Sequence, residues 1–282
     1  MTRKSLFENT CSALSAIYPA KESRINALIL LEAFWGWPAH TVFIDGTALV
    51  EADDAIRQRF EKAVAEMQAH RPLQYVLGKA WFGNREFLVD ERVLIPRPET
   101  EELVRLVISE NRTKSQKILD IGTGSGCIAV TLALELPDAA VTALDISPGA
   151  LTVAHENAVA LGATVEFRQG DILCENLLGE YDVIVSNPPY VCCSEREAMR
   201  PNVLGHEPAT ALFVPDGDPL LFFRRIAELG QQALRPGGHL YFEINERMGA
   251  RVESLLHLQG YDRVRILKDI FDRERIVAAQ WN

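Results

Sequence analysis

Apolar and polar positions change their period once along the chain. Up to Gly78 the spacing is helical: Phe7, Cys11, Leu14 and Tyr18 fall on one stripe, and Ile56, Phe60, Val64 and Met67 on another. Between them "ALILLEAFWGW" is apolar on nearly every side, which predicts a more fully buried helix. Strand-like alternation is absent there, so residues 1–78 read as a small helical bundle. The segment "WFGNREFLVDERVLIPRPETEELV" then changes character. Aromatic and β-branched residues around Gly83 and Asn84 predict a hairpin, which makes residues 79–97 a linker, and Pro98 opens a new helix.

From Lys117 onward, strands and helices alternate. "KILDIG", "AVTALDI", "TVEFRQGD" and "YDVIVSN" read as strands, with helices over Gly126 to Leu136 and Pro148 to Leu161 between them. A helix "PLLFFRRIAELGQQAL", a turn "RPGG" and a strand "HLYFEI" follow, then a helix from about Arg247 to Leu258 and two last strands. Strand, helix, strand with short links is the pattern of a parallel sheet covered on both faces. The last two strands read as an antiparallel pair at its edge. Residues 98–282 thus form an α/β domain, without internal repeats or low-complexity tracts.

Composition narrows the classes. Hydrophobic residues make up 48% and charged ones 24%, as in ordinary globular domains. No apolar run approaches a membrane span and no signal pattern opens the chain, so a cytoplasmic protein without membrane contact is expected. A net charge of -10 argues against holding a nucleic-acid backbone over a broad surface. The five cysteines, Cys11, Cys127, Cys174, Cys192 and Cys193, include no C-x-x-C pair and no zinc-type spacing, which points to a reducing compartment and to no metal. Neighbouring Cys192 and Cys193 bridge each other only with strain, and a reactive thiol there requires a shift in its acidity.

The chemistry concentrates at strand ends. In "LDIGTGSGCIA", Gly122, Gly124 and Gly126 stand at alternate positions between a strand and a helix, where a missing Cβ lets backbone approach a ligand. The dinucleotide pattern G-x-G-x-x-G is not met, because Cys127 stands at its last place. G-x-G-x-G after Asp120 suits S-adenosylmethionine, whose ammonium can use an acid or a carbonyl. Asp145 ends the next strand, where a carboxylate accepts from both ribose hydroxyls or caps the following helix. Asp171 ends the third, placed for an adenine amino group or a solvated turn, with Ile172 beside it as an apolar wall.

"DVIVSNPPY" ends the fourth strand in the same crevice. Each proline holds the residue before it extended, so carbonyls are left without backbone donors. Asn-Pro is also common turn punctuation. An amide or exocyclic amino nitrogen is a poor nucleophile because its lone pair is delocalised. Hydrogen bonds from both its hydrogens, to the Asn187 side-chain oxygen and the Pro188 carbonyl, aim that lone pair and stabilise the charge that develops on nitrogen. Pro189 and Tyr190 complete the substrate lip, with Tyr190 against the flat group or packed elsewhere.

"RPLQYVLG", "VLIPRPETEELV", "DIGTGSGCIA", "SNPPYV", "EPATAL" and "RPGGHLYFEI" together resemble the glutamine methyltransferases that modify peptide-chain release factors in bacteria and organelles. The resemblance runs from about Arg71 onward and is weaker in the N-terminal helices. It implies a Rossmann-like class I methyltransferase fold with a seven-stranded, mostly parallel sheet. It also implies methyl transfer from S-adenosylmethionine to the glutamine amide of the Gly-Gly-Gln motif of class 1 release factors, with S-adenosylhomocysteine as product. By matching position, Gly122, Thr123, Gly124, Ser125, Gly126, Asp145, Asp171, Ile172 and Asn187 contact the cofactor, and Asn187, Pro188, Pro189 and Tyr190 hold the glutamine.

"MRPNVLGHEP" and Cys192-Cys193 depart from the family pattern and leave a ribosomal-protein glutamine open as substrate. Amino-group methylation of nucleic acid uses the same Asn-Pro-Pro-Tyr chemistry but fits the charge badly. A non-catalytic adaptor is the remaining alternative. The chain is expected to act as a monomer whose N-terminal helices grip the release factor away from its glutamine.

Overall fold

The Thr2 amide donates to the Ser5 hydroxyl while the Ser5 amide donates to the Thr2 hydroxyl, a reciprocal cap that starts α1 (Arg3–Leu14). In this computed structural model, which describes residues 1–51, 53–112, 115–174, 176 and 179–282, four further helices follow. They are α2 (Ala20–Trp35), α3 (Ala39–Ile44), α4 (Asp54–Gln68) and α5 (Leu73–Leu77). Asp53 caps α4 through the Ile56 amide, and glycines in the left-handed region close α2 and α5. Phe7, Leu14, Leu30, Leu31, Phe60 and Met67 form this bundle's core.

Two expectations are corrected in this bundle. Tyr18 is buried but stands beyond the end of α1. The segment "ALILLEAFWGW" is not buried all round: Leu30 and Leu31 face inward, while Ile29 and Glu32 are exposed and the tryptophans half-buried. Apolar density there exceeds what one face needs.

The bundle forms one compact unit, Met1–Gly78 with Arg200–His206; the other is Lys79–Met199 with Glu207–Asn282. The hairpin expected as a linker belongs to the second unit. Its strands β1 (Lys79–Phe82) and β2 (Arg85–Leu88) join through Gly83 and Asn84, both at positive φ, as a two-residue hairpin turn that follows the strand twist requires.

Helix α6 (Pro98–Asn111) then leads into β3 (Lys117–Ile121), α7 (Cys127–Glu135), β4 (Ala140–Asp145), α8 (Pro148–Leu161), β5 (Glu166–Gln169) and β6 (Tyr181–Ser186). After β7 (Val191–Cys192), α9 (Pro201–Leu204) and β8 (Phe213–Val214) come α10 (Leu221–Ala233), β9 (Leu234–Glu243), α11 (Gly249–Leu258), β10 (Asp262–Lys268) and β11 (Glu274–Gln280). Seven strands make one sheet in the order β10-β11-β9-β6-β3-β4-β5, in which β11 alone runs against the other six. Strand residues alternate between two cores. Ile118, Val183, Val185 and Tyr241 meet α6 and α7 on one face; Leu119, Ile184, Leu240 and Phe242 meet α10 and α11 on the other.

The last two strands form an antiparallel pair at one end of the sheet, as expected, with β10 outermost. "RPGG" is no turn. It lies within β9, where the register against β6 jumps from Tyr181↔Leu234 to Val183↔His239. The residues between form a bulge, which leaves Pro236 out of the ladder and fastens Gly237 and Gly238 to Trp281 by backbone bonds.

Candidate active site

The parallel strands end on one edge of the sheet, and there a cavity of about 330 Å³ opens. Crevices at this edge, where the strand order reverses, are the binding places of open α/β sheets. Here β3 lies between β4 and β6, and the segments after all three line the wall. Gly122, Gly124, Asp145, Asp171, Ile172, Asn187, Pro188 and Pro189 all contribute, joined by Arg92 to Leu94 and by Pro208, Thr210, Ala211 and Phe213.

The amides of Gly122 and Thr123 both donate to the Leu144 carbonyl, which pins the glycine loop to the end of β4. A Cβ on Gly124 would meet nothing within 4 Å and would enter the cavity, whereas one on Gly126 would sit 3.0 Å from the Ala154 Cβ. The loop therefore has an open side toward the cavity and a packed side against α8. Thr123 and Ser125 are buried, and with Gly126 they stand behind the wall rather than on it. Asn157 of α8 holds the loop from behind: its amide donates to the carbonyls of Ser125 and Leu88 and accepts from the Leu88 amide.

Asp145 accepts from the Gly124 amide at 2.9 Å with one oxygen and from the Ser147 amide at 2.9 Å with the other. Burial raises its pKa against the opposing pull of these bonds. A carboxylate has about four acceptor sites, so lone pairs remain for a diol. Asp145 does not cap α8; Ser147 does, through the Ala150 amide. Asp120 is fully buried below the loop, absent from the wall, and bonded to the Thr123 hydroxyl at 2.6 Å. Burial pushes it up to about 7. Strand β5 ends at Gln169, so Asp171 stands beyond it, accepting from the Leu173 amide. Ile172 is buried beside it on the wall.

Ser186 fastens the end of β6 by donating to the Ile121 carbonyl at 2.7 Å. Asn187 follows on the wall, and its Nδ2 donates to the Thr100 hydroxyl at 3.3 Å. Thr100 in turn donates to Glu243 at 2.6 Å. Tyr190 does not line the cavity; it packs against the core beside α10 and donates to the second oxygen of Glu243 at 3.4 Å. Burial and the adjacent Glu243 push the Tyr190 hydroxyl up. Glu243, 1% exposed at the end of β9, is pushed up to about 7, chiefly by burial.

Thr100, Glu207 and Glu243 lie inside the quoted segments "VLIPRPETEELV", "EPATAL" and "RPGGHLYFEI", but nothing in the sequence gives them a role at the site. The buried Glu207 carboxylate accepts from Arg97 and from the Ile95 amide. The parallel pairing of β7 with β8 then carries Phe213 onto the wall. Burial and Glu195 raise the Cys192 thiol, so it is not activated, and neither Cys192 nor Cys193 lines the cavity.

The chain matches the Methyltransferase small domain over residues 100–206 and the PrmC N-terminal domain over residues 5–78. It is 45% identical, over 95% of its length, to the release factor glutamine methyltransferase of Bacteroides thetaiotaomicron, of which it covers 96%. The Flavobacterium psychrophilum protein of that name is 42% identical over 94% of each chain. A solved methyltransferase from Pyrococcus furiosus shares the fold, with TM-score 0.53 and 16% identity over 81% of this chain and 98% of its own.

Proposed function

The chain belongs to the release factor glutamine methyltransferase family, and from that premise we propose that it methylates the side-chain amide nitrogen of the glutamine in the Gly-Gly-Gln motif of class 1 release factors. S-adenosylmethionine, when bound, supplies the electrophilic methyl on its sulfonium. The donor set suits that group. Gly122 and Gly124 present a wall without side chains, Asp145 keeps lone pairs for ribose hydroxyls, and Ile172 gives an apolar face for the adenine, with Asp171 beside it.

The observation that carries the substrate assignment is the bond from Asn187 Nδ2 to Thr100. With its N–H engaged away from the cavity, Asn187 has its Oδ1 left to accept from an amide N–H. The Pro188 carbonyl takes the second hydrogen, since neither Pro188 nor Pro189 has an N–H to give the strap a turn. Held at both hydrogens, the glutamine nitrogen is aimed and the charge it gains is stabilised by dipoles already in place. No strong base is required, because the alkylated nitrogen is acidic enough to lose its proton to water. Pro188, Pro189, Phe213 and Phe222 give the site an apolar lining that limits water.

The protein acts in the cytoplasm as a monomer, with the release factor as partner and no direct nucleic-acid contact. Among the described residues, no helix is long and apolar enough to cross a membrane. Substitution of Asn187 tests the assignment. Asn187→Ala keeps the fold and lowers transfer to a purified release factor steeply; transfer at the wild-type rate overturns it.

A further inference from the structure

We infer that Glu243 and Thr100 are positioning residues that set which end of the Asn187 amide meets the substrate. The inference rests on the function proposed above. It starts from three segments far apart in the chain: Thr100 in the first turn of α6, Asn187 after β6 and Glu243 at the end of β9. Thr100 is 2% exposed and Glu243 1%.

The direction of every hydrogen in this chain follows from its far end. Above about pH 7 Glu243 is ionised, and an ionised carboxylate only accepts. The single hydroxyl hydrogen of Thr100 is therefore spent on Glu243, at 2.6 Å, as expected of a charge-assisted bond. The Thr100 oxygen is then an acceptor toward Asn187, so the atom at 3.3 Å must be the amide nitrogen. The Asn187 oxygen is left for the substrate. An asparagine turned the other way would offer N–H to an N–H, which repels the nucleophile it should hold.

The second oxygen of Glu243 accepts from Tyr190, which ties the strap after Asn187 to the same carboxylate. Arg275 lowers and Glu99 raises the proton affinity of Glu243, and both act on it from neighbouring elements. A buried carboxylate costs stability that an apolar side chain would not. Orientation of a rotatable amide is something an apolar side chain could not provide. A network that merely held α6 to the sheet would not depend on the polarity of its bonds.

A double-mutant cycle separates the two roles. Thr100→Val keeps the volume and removes the relay; it is expected to lower kcat by about 10- to 100-fold, at the low end for losing one preorganised group. KM for the release factor and Kd for S-adenosylmethionine stay near wild type, Tm falls because buried Glu243 loses a donor, and Thr100→Ser recovers most of the kcat loss. Added to Asn187→Ala, Thr100→Val costs nothing further, because its only route to the substrate is already gone.

Glu243→Gln, which can donate back to Thr100 at unchanged volume, repeats the kcat loss and carries the test should Thr100→Val fold poorly. Wild-type kcat in Thr100→Val or in Glu243→Gln overturns the relay, as does an undiminished additive loss on top of Asn187→Ala. A wild-type protein that leaves the glutamine unmethylated overturns the proposed function and the relay together.

Discussion

Arg97 donates to Glu207 at 2.6 Å across 110 residues of chain. The pair joins the segment before α6 to the one that supplies Pro208, Thr210, Ala211 and Phe213 to the cavity wall. The Glu207 side chain is 1% exposed and that of Arg97 33%, so the two partners are not equivalent. Arg97→Ala strands a buried carboxylate and should cost about 3 kcal/mol. Glu207→Gln keeps an acceptor for the Ile95 amide and leaves the arginine free to hydrate, at about 1–2 kcal/mol. Urea unfolding of the two variants checks the order; a larger loss in Glu207→Gln contradicts it.

Two alanine substitutions in the glycine loop should fail differently. Gly126 lies at φ +80 with Ala154 close by, so Gly126→Ala meets both backbone strain and a clash and should lower stability by about 2 kcal/mol or more. Gly124, at φ +55, faces open space. Gly124→Ala adds only the backbone strain, about 1–2 kcal/mol, but puts a methyl in the cavity. S-adenosylmethionine titration and thermal melts should therefore show the larger affinity loss in Gly124→Ala and the larger Tm loss in Gly126→Ala.

Asp120 makes stability run against the usual pH trend. Burial raises its pKa from 3.8 to about 7, so between those values the folded protein holds a proton that the unfolded chain has lost. Its contribution is favourable below the unfolded value and disappears as pH rises through the window, by about 1.4 kcal/mol per unit. Asp120→Asn removes that dependence. Relative to wild type it should gain about 2–3 kcal/mol between about pH 5 and about pH 8; a constant difference across that range rules out a buried, protonated Asp120.

Glu243 predicts a pH effect on turnover. It faces the hydroxyls of Thr100 and Tyr190 and the charges of Arg275 and Glu99, and burial pushes it up to about 7. Once protonated it can donate to Thr100, whose own hydrogen then turns toward Asn187 and reverses the relay. Because the protonated form dominates below that value, kcat should fall as pH drops through about 7. The limb should vanish in Glu243→Gln; a limb that persists unchanged there assigns it to another group.

The strand ends, the glycine loop and Asn187 were legible because each is written locally: an apolar run, a punctuating glycine or proline, a polar residue at a fixed place. The partners that aim them were not. Thr100 and Glu243 look like ordinary helix-start and strand-end residues, and only pairing 143 residues apart gives them a role. For Tyr190 the sequence leaves both a place against the substrate and packing elsewhere open, because proximity along the chain says nothing of which way a ring turns. "RPGG" suits a turn and a bulge alike, and the sheet around it decides. In α2, apolar residues outnumber the places the core offers, so density overstated burial.

Transfer to one glutamine is tested most directly by fragment mass spectrometry of a purified class 1 release factor after incubation with this protein and S-adenosylmethionine, with its Gly-Gly-Ala variant and a DNA duplex in parallel. The expected result is a single methyl-sized gain on the side chain of the Gly-Gly-Gln glutamine and none on the variant or the duplex. Methyl on the duplex, or on the variant at another residue, would contradict a site built to hold a glutamine amide.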